Sequence, residues 1–202
     1  MLAIDYKRTV PKKRIALGTV AVAILVGGLY TLSLVAAPAI APLLVTKPIN
    51  IQSLPPPKVS DNRLIIPKLG IDIAYATGAA ALDRGAEWRS PSSGNPADGG
   101  NFVIAAHRFS IQPTPMGTII KSPFYHIDEM KDGDKILVDY LGKRYAYQIN
   151  KEFAAQPTQV SIEARTKSPT LTLYSCGLGG VTSDRFVLQA ERLGQVAVTT
   201  TQ

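Results

Sequence analysis

Hydrophobic residues divide this chain into one long apolar block followed by a series of short runs separated by turns. The block covers residues 15–45, which carry no charge. A bilayer core needs about 20 apolar residues of helix, so this stretch is long enough to span one. Pro38 and Pro42 are expected to end the helix on its outer side, because proline removes a backbone donor and crowds the preceding turn. Beyond the block, residues 63–66 form an apolar run closed by Pro67, and residues 71–73 follow Gly70. Residues 101–106 are ushered in by Gly99-Gly100. Residues 136–140 and 144–149 are rich in β-formers, and Leu141-Gly142-Lys143 suits a hairpin connection between them. In the second arm Tyr145, Tyr147 and Ile149 alternate with Ala146, Gln148 and Asn150, the period of a half-buried strand. Residues 170–175 and 185–190 supply two more strands, and short helical pieces fit near 80–85 and 123–130. Many short strands at this spacing, with no long amphipathic helix among them, predict an all-β barrel or sandwich behind one transmembrane helix.

Charge gives the apolar block a direction. Lys7, Arg8, Lys12, Lys13 and Arg14 all precede it. By the positive-inside rule that cluster holds the N-terminus in the cytoplasm and places the rest of the chain outside the cell. A cleaved signal peptide is the rival, with small residues at 37–41 for a peptidase, but the block exceeds the usual h-region of about 7–15 residues. The expected organisation is a cytoplasmic basic tail (1–14), an uncleaved transmembrane signal anchor (15–45), a Pro-rich linker (46–58), a catalytic domain (59–195) and a flexible tail (196–202). The linker holds Pro48 and Pro55-Pro56-Pro57, which favour extended polyproline geometry and a semi-rigid spacer. The net charge of +7 is concentrated in the basic tail. The remaining excess is scattered without interleaved aromatics, which excludes nucleic-acid binding.

Cys176 is the single cysteine. In an exported chain it has no internal disulfide partner, so it is either a buried small hydrophobe or a used thiol. Its surroundings favour use. It ends the strand-like run Leu171-Thr172-Leu173-Tyr174-Ser175-Cys176, and the Gly-rich loop Gly177-Leu178-Gly179-Gly180 leaves room for a ligand backbone. A thiol that attacks a carbonyl needs a nearby base or cation. His107 at the end of the run 102–106 and Arg185 at the start of the run 186–190 have matching placements. Asp184 offers Arg185 a plain salt bridge as the bland alternative. His126 in Phe124-Tyr125-His126-Ile127 has no motif behind it and is expected to be structural or exposed. No His, Cys, Asp or Glu spacing suggests zinc, and no cofactor is expected.

These residues carry a resemblance. Thr172-Leu173-Tyr174-Ser175-Cys176 resembles the T-L-x-T-C signature of the sortase family, with Ser175 where Thr is usual. Asn101 through His107-Arg108 resembles the strand leading to the family's histidine, with Ala106 where Gly is usual. Pro123-Phe124 through Lys131-Asp132-Gly133-Asp134-Lys135-Ile136 is similar to the stretch between the family's His and Cys. Leu64-Ile65-Ile66-Pro67-Lys68-Leu69-Gly70-Ile71 is similar to its opening strand. The four motifs occur in the family's order over roughly residues 60–192.

The resemblance implies a closed β-barrel and a two-step acyl transfer. Cys176 would attack a threonine carbonyl in the C-terminal sorting motif of an exported protein, leaving a thioacyl enzyme. An amine, such as a peptidoglycan precursor or a pilin lysine, would resolve it. His107 would move the protons, and Arg185 would hold the oxyanion or the substrate backbone. The rivals are a catalytically inactive membrane-anchored β-domain that binds peptides, or another exported cysteine peptidase or transpeptidase. L,D-transpeptidases resemble S-x-G-C-x-R, with Arg two residues beyond Cys, where this chain has Leu178. Papain-like enzymes place Cys before His, the reverse of the order here.

Overall fold

The computed structural model describes residues 12–44, 47–180 and 182–197. Part of the basic tail and the end of the C-terminal tail lie outside them. Helix α1 runs over Lys12–Leu44 and is long and apolar enough to cross a membrane. The strands are β1 (Arg63–Ile66), β2 (Ile71–Thr77), β3 (Ala86–Trp88), β4 (Gly94–Asn95), β5 (Gly99–Ala106), β6 (Lys135–Tyr140), β7 (Lys143–Ala155), β8 (Thr170–Cys176) and β9 (Arg185–Gln195). A second helix, α2, is one short stretch at Pro115–Ile120 whose first turn is capped by the Thr114 hydroxyl.

Eight of the strands close into a barrel in the order β3-β2-β1-β6-β7-β9-β8-β5, and the β3–β5 pairing seals the ring. The two-residue β4 pairs only with the start of β5. Alternation decides which side chains fill the barrel. Phe102, Ile104 and Ala106 of β5, Leu171 and Leu173 of β8, and Leu188 and Ala190 of β9 enter one core with Leu64, Phe124, Ile136 and Tyr147. Between β6 and β7 the chain turns through Leu141 (φ 48°) and Gly142 (φ 75°), the left-handed pair that a tight antiparallel hairpin requires.

Alternation also puts Asp139 and Arg144 outside the barrel wall, where they form a bidentate ion pair with both contacts at 2.7 Å. Residues from the Pro-rich segment cover it, and the Pro55 carbonyl accepts a further hydrogen bond from Arg144. That segment runs along the barrel, and Ile49 N–H is bonded to the Pro67 carbonyl.

The expectation that Pro38 and Pro42 end the helix is corrected: α1 continues through both to Leu44. The reason is tertiary. Pro42 has no N–H to offer the carbonyl of Pro38 four residues earlier. His126 Nε2 lies 2.8 Å from that carbonyl and fills the missing donor's place, while its Nδ1 contacts Glu129 Oε1 at 2.7 Å. Leu34, Ala37 and Ala41 are buried on the same side of the helix, and α1 packs against α2.

An unsatisfied buried carbonyl costs about 1–3 kcal/mol. His126→Ala in the full chain is therefore expected to lower unfolding stability by about that amount, measured by denaturant titration in detergent. An unchanged midpoint would mean that the Pro38 carbonyl has another donor.

Candidate active site

Three neighbouring strands carry Cys176, His107 and Arg185 to one end of the barrel. Strands β5 and β8 are parallel, with a constant register from Asn101↔Thr170 to Ala105↔Tyr174. Carried two residues past this paired stretch, the same offset aligns His107, the residue that follows β5, with Cys176. Strands β8 and β9 are antiparallel, and their final pair is Cys176↔Arg185. The three residues thus occupy one transverse row, about 10 Å wide at about 4.8 Å per strand. They also share a face. Ala106, Ser175 and Phe186, their neighbours in the adjacent row, turn toward the barrel interior. His107, Cys176 and Arg185 therefore turn outward, and each is partly exposed.

Within the row Arg185 Nη1 donates to Cys176 Sγ at 3.3 Å and to the Ser183 carbonyl at 3.1 Å. A guanidinium in this contact can stabilise negative charge that develops on the sulfur or beside it. The turn between β8 and β9 is tight: Gly177 N–H bonds the Asp184 carbonyl at 2.8 Å, and the Ser183 hydroxyl bonds the Gly180 carbonyl at 2.6 Å. A Cβ on Gly177 would come within 2.8 Å of Ser183 Oγ and 3.1 Å of the Asp184 carbonyl oxygen, so a larger residue here would crowd the turn that precedes Arg185.

His107 is held from behind. Its carbonyl accepts from Phe124 N–H at 3.1 Å. The next residue, Arg108, is buried, pairs with Asp128 at 2.7 Å and lies 5.5 Å above the Phe186 ring. Arg108 thereby ties the strand carrying the histidine to the strand carrying Arg185. Sequence reasoning saw Arg108 only as part of a motif; its partners are far away in the chain.

The outer face next to the row is apolar, formed by Ala155 and Val187 with Phe153 and Tyr174 packed against them and Ile162 laid over the top. A polar cluster fixes Ile162 there. Glu163 receives Ser90 Oγ and Tyr174 OH, each at 2.5 Å, and Arg89 Nε at 3.3 Å. Asn101 Nδ2 donates to the carbonyls of Ile162 and Ala164, both at 2.9 Å, and its Oδ1 accepts from Thr172 at 2.7 Å. Burial raises the Glu163 pKa, but the hydrogen bonds from Ser90 and Tyr174 and the Arg89 charge outweigh it and hold the carboxyl below its usual value. For Tyr174, burial and then the Glu163 hydrogen bond both push the phenol upward, so it remains a donor. Glu163 stands in no motif, and Tyr174 fills only the variable position of the cysteine motif, so neither could be read as site-supporting from the chain alone.

Among the described residues no group of three or more His, Cys, Asp or Glu side chains gathers where it could hold a metal ion. His126 stands apart from the row, at the foot of α1.

Comparison with known proteins adds a family. Residues 64–193 match the model of the sortase domain. The chain is similar to sortase A of Listeria monocytogenes, at 30% identity over 92 residues, 46% of this chain and 38% of that relative. It thus spans well under half the length of the curated relative it matches. Among solved structures it is similar to a sortase D5 transpeptidase of Clostridium perfringens, at 25% identity and a TM-score of 0.51 over 66% of this chain and 79% of that one. It is also similar to sortase C-3 of Streptococcus pneumoniae, at 24% identity and a TM-score of 0.57 over 75% and 72% of the two chains. The names of these relatives span several sortase subclasses, so the likeness is to the family as a whole.

The lowered Glu163 pKa sets a pH window for the loop over the groove. A carboxylate with a depressed folded pKa contributes stability above its ordinary value of about 4.3, and that stability is lost as pH falls through the folded value. Amide hydrogen exchange in residues 160–164, corrected for intrinsic rates, should stay protected from pH 7 to 5 and lose protection only below about pH 4. Protection in Glu163→Gln should be reduced throughout and flat with pH. Loss already between pH 6 and 5 in the unsubstituted protein would contradict this assignment.

Proposed function

The chain belongs to the sortase family, and we propose that it is a cysteine transpeptidase tethered to the membrane by α1, with its N-terminus cytoplasmic and its barrel outside the cell. Its substrates on this reading are exported proteins that carry a C-terminal sorting motif. Its second substrate is an amine, such as a cell-wall precursor or a pilin lysine.

The contact that best supports this reading is Arg185 Nη1 at 3.3 Å from Cys176 Sγ, in the row that continues to His107. Cys176 passes its thiol proton to His107 as Sγ bonds to the scissile carbonyl carbon, and the carbonyl electron pair moves onto the oxygen, where Arg185 can donate hydrogen bonds. Collapse of that intermediate breaks the C–N bond. The departing amine takes a proton from His107, and a thioester remains on Cys176. The incoming amine gives a proton back to His107 as its nitrogen attacks the thioester. The second collapse forms a new amide and frees the sulfur. The apolar face formed by Ala155, Val187, Phe153 and Tyr174 is the adjoining wall against which the motif's side chains would lie. The orientation rests on Lys7, Arg8, Lys12, Lys13 and Arg14, which precede the uncharged stretch of α1.

Incubation of the full chain with a peptide library followed by intact-mass spectrometry should detect an acyl adduct on Cys176, removed by hydroxylamine. Cys176→Ala should give no adduct and no amine transfer, because the thioacyl enzyme cannot form. Its fold should be retained, since a partly exposed rim sulfur leaves little cavity. Release of a C-terminal fragment by the Ala variant would overturn the covalent mechanism.

A further inference from the structure

Strand polarity shows which end of the barrel faces α1. The catalytic row follows the C-terminal ends of β5 and β8, whereas the Leu141-Gly142 turn lies at the opposite end, beside the start of β1. The chain leaving His107 leads directly to α2, and α2 packs against α1. Tyr30 OH donates to the Pro113 carbonyl just before α2. The segment that follows His107 therefore meets the membrane helix.

Depth along α1 gives this meeting point a level. At 1.5 Å per residue, Tyr30 lies about 24 Å along the helix from Arg14, the last charge before the apolar block. A bilayer's hydrocarbon core is about 30 Å thick. If Arg14 marks the inner boundary, Tyr30 is still within the outer hydrocarbon region, and whatever contacts Tyr30 lies at the lipid boundary too. The segment in contact has the surface for it. Ile111, Met116 and Ile120 are 55%, 49% and 64% exposed, three large apolar side chains within ten residues. Beside them a cavity of ≈ 500 Å³ has one wall of Pro38, Ala41, Ile119 and Ile120, while Lys68, Asp72, His126 and Glu129 also line it, so the apolar surface gives way to charged groups toward the barrel. The exposure of three such side chains to water would be unfavourable, and each would gain by transfer into an apolar phase.

We propose that residues 109–120 dip into the outer leaflet of the membrane that α1 spans, with Ile111, Met116 and Ile120 as the inserted side chains, so that the catalytic end of the barrel is held against the lipid surface. This rests on the reading of α1 as a membrane anchor. The occupant is lipid, because the apolar patch is continuous with α1 and lies at the depth of Tyr30. A barrel seated in this way would offer the row of His107, Cys176 and Arg185 to substrates at the membrane surface.

The test uses the full chain with Cys176→Ser, which frees the sequence of other thiols. Single cysteines are introduced at Met116, Ile120, Leu25 and Leu141 and labelled with an environment-sensitive fluorophore. Each protein is reconstituted in vesicles of neutral and anionic phospholipid, either without nitroxide or with nitroxide at an upper or a lower acyl-chain position. Labels at 116 and 120 should lose at least half of their emission to the nitroxide lipid, while the label at 141, on the far end, should lose less than a tenth. Leu25, within α1, reports the anchor on its own. Quenching at 25 without quenching at 116 and 120 would overturn the membrane contact and leave the anchor standing. No quenching at 25 would remove the anchor, and the proposal with it. Two separately labelled sites guard against one disturbing the fold.

Discussion

Register is the constraint on which the site depends. Side chains alternate across a strand, so a one-residue slip of β8 against β5 and β9 would turn Cys176 into the barrel and send Leu171 and Leu173 out. Those two leucines are 0% and 1% exposed. Full burial of a leucine is worth about 1.5–3 kcal/mol, so the slip would cost about 3–6 kcal/mol at these two positions alone. The apolar interior thus acts as the alignment device for the polar exterior. It holds His107, Cys176 and Arg185 in one outward row, and it does so from a rigid sheet rather than from loops, which favours a fixed geometry.

Around that row, the chain uses polar contacts of large sequence separation to fix what the sheet leaves loose. Arg108 bridges Asp128 and the Phe186 ring behind the histidine. Asn101 and Glu163 clamp the segment over the outer face, and Tyr174, two residues before Cys176 on the same face of β8, is part of the clamp. On the helix side, His126 supplies the donor that Pro42 lacks, so α1 can continue as a helix alongside the barrel. Each of these side chains has its partner on another part of the fold and not beside it in the chain.

That difference explains what could be read from the sequence. Strands with apolar runs or alternation, such as residues 101–106, 144–149 and 170–175, were legible, and so was an all-β barrel or sandwich behind one apolar helix; that the barrel closes was implied by the resemblance to sortases. The short strands Ala86–Trp88 and Gly94–Asn95 were not, because three and two residues are too few to show a period. The second half of β7, through Lys151 and Glu152, was missed because both of these residues are exposed and carry no apolar signal. Helix α2, only six residues long, contains a proline and a glycine, and its cap and its packing on α1 decide its conformation. Propensity alone also misjudged Pro38 and Pro42, since the compensating donor lies 88 residues away in His126. In the site, the three row residues were legible because they stand at strand ends in a recognisable order. Arg108, Glu163 and Tyr174 were not, because nothing local marks a residue whose partners are tertiary.

In the proposed reaction Arg185 acts through directed N–H donors on charge at the reacting centre, and not as a surface cation. Lysine keeps the charge but lacks the planar fork. Loss of one well-placed oxyanion donor costs about 2.7–4 kcal/mol, or about 100- to 1,000-fold in rate. A surface salt bridge with the exposed Asp184 would be worth only about 0–1 kcal/mol of stability. Single-turnover acylation of Cys176 by a cognate peptide, compared between the unsubstituted chain and Arg185→Lys, separates the two. The expected result is a rate at least about 100-fold lower with a nearly unchanged melting temperature; rates within a few-fold of each other would contradict the account and remove Arg185 from the reacting centre.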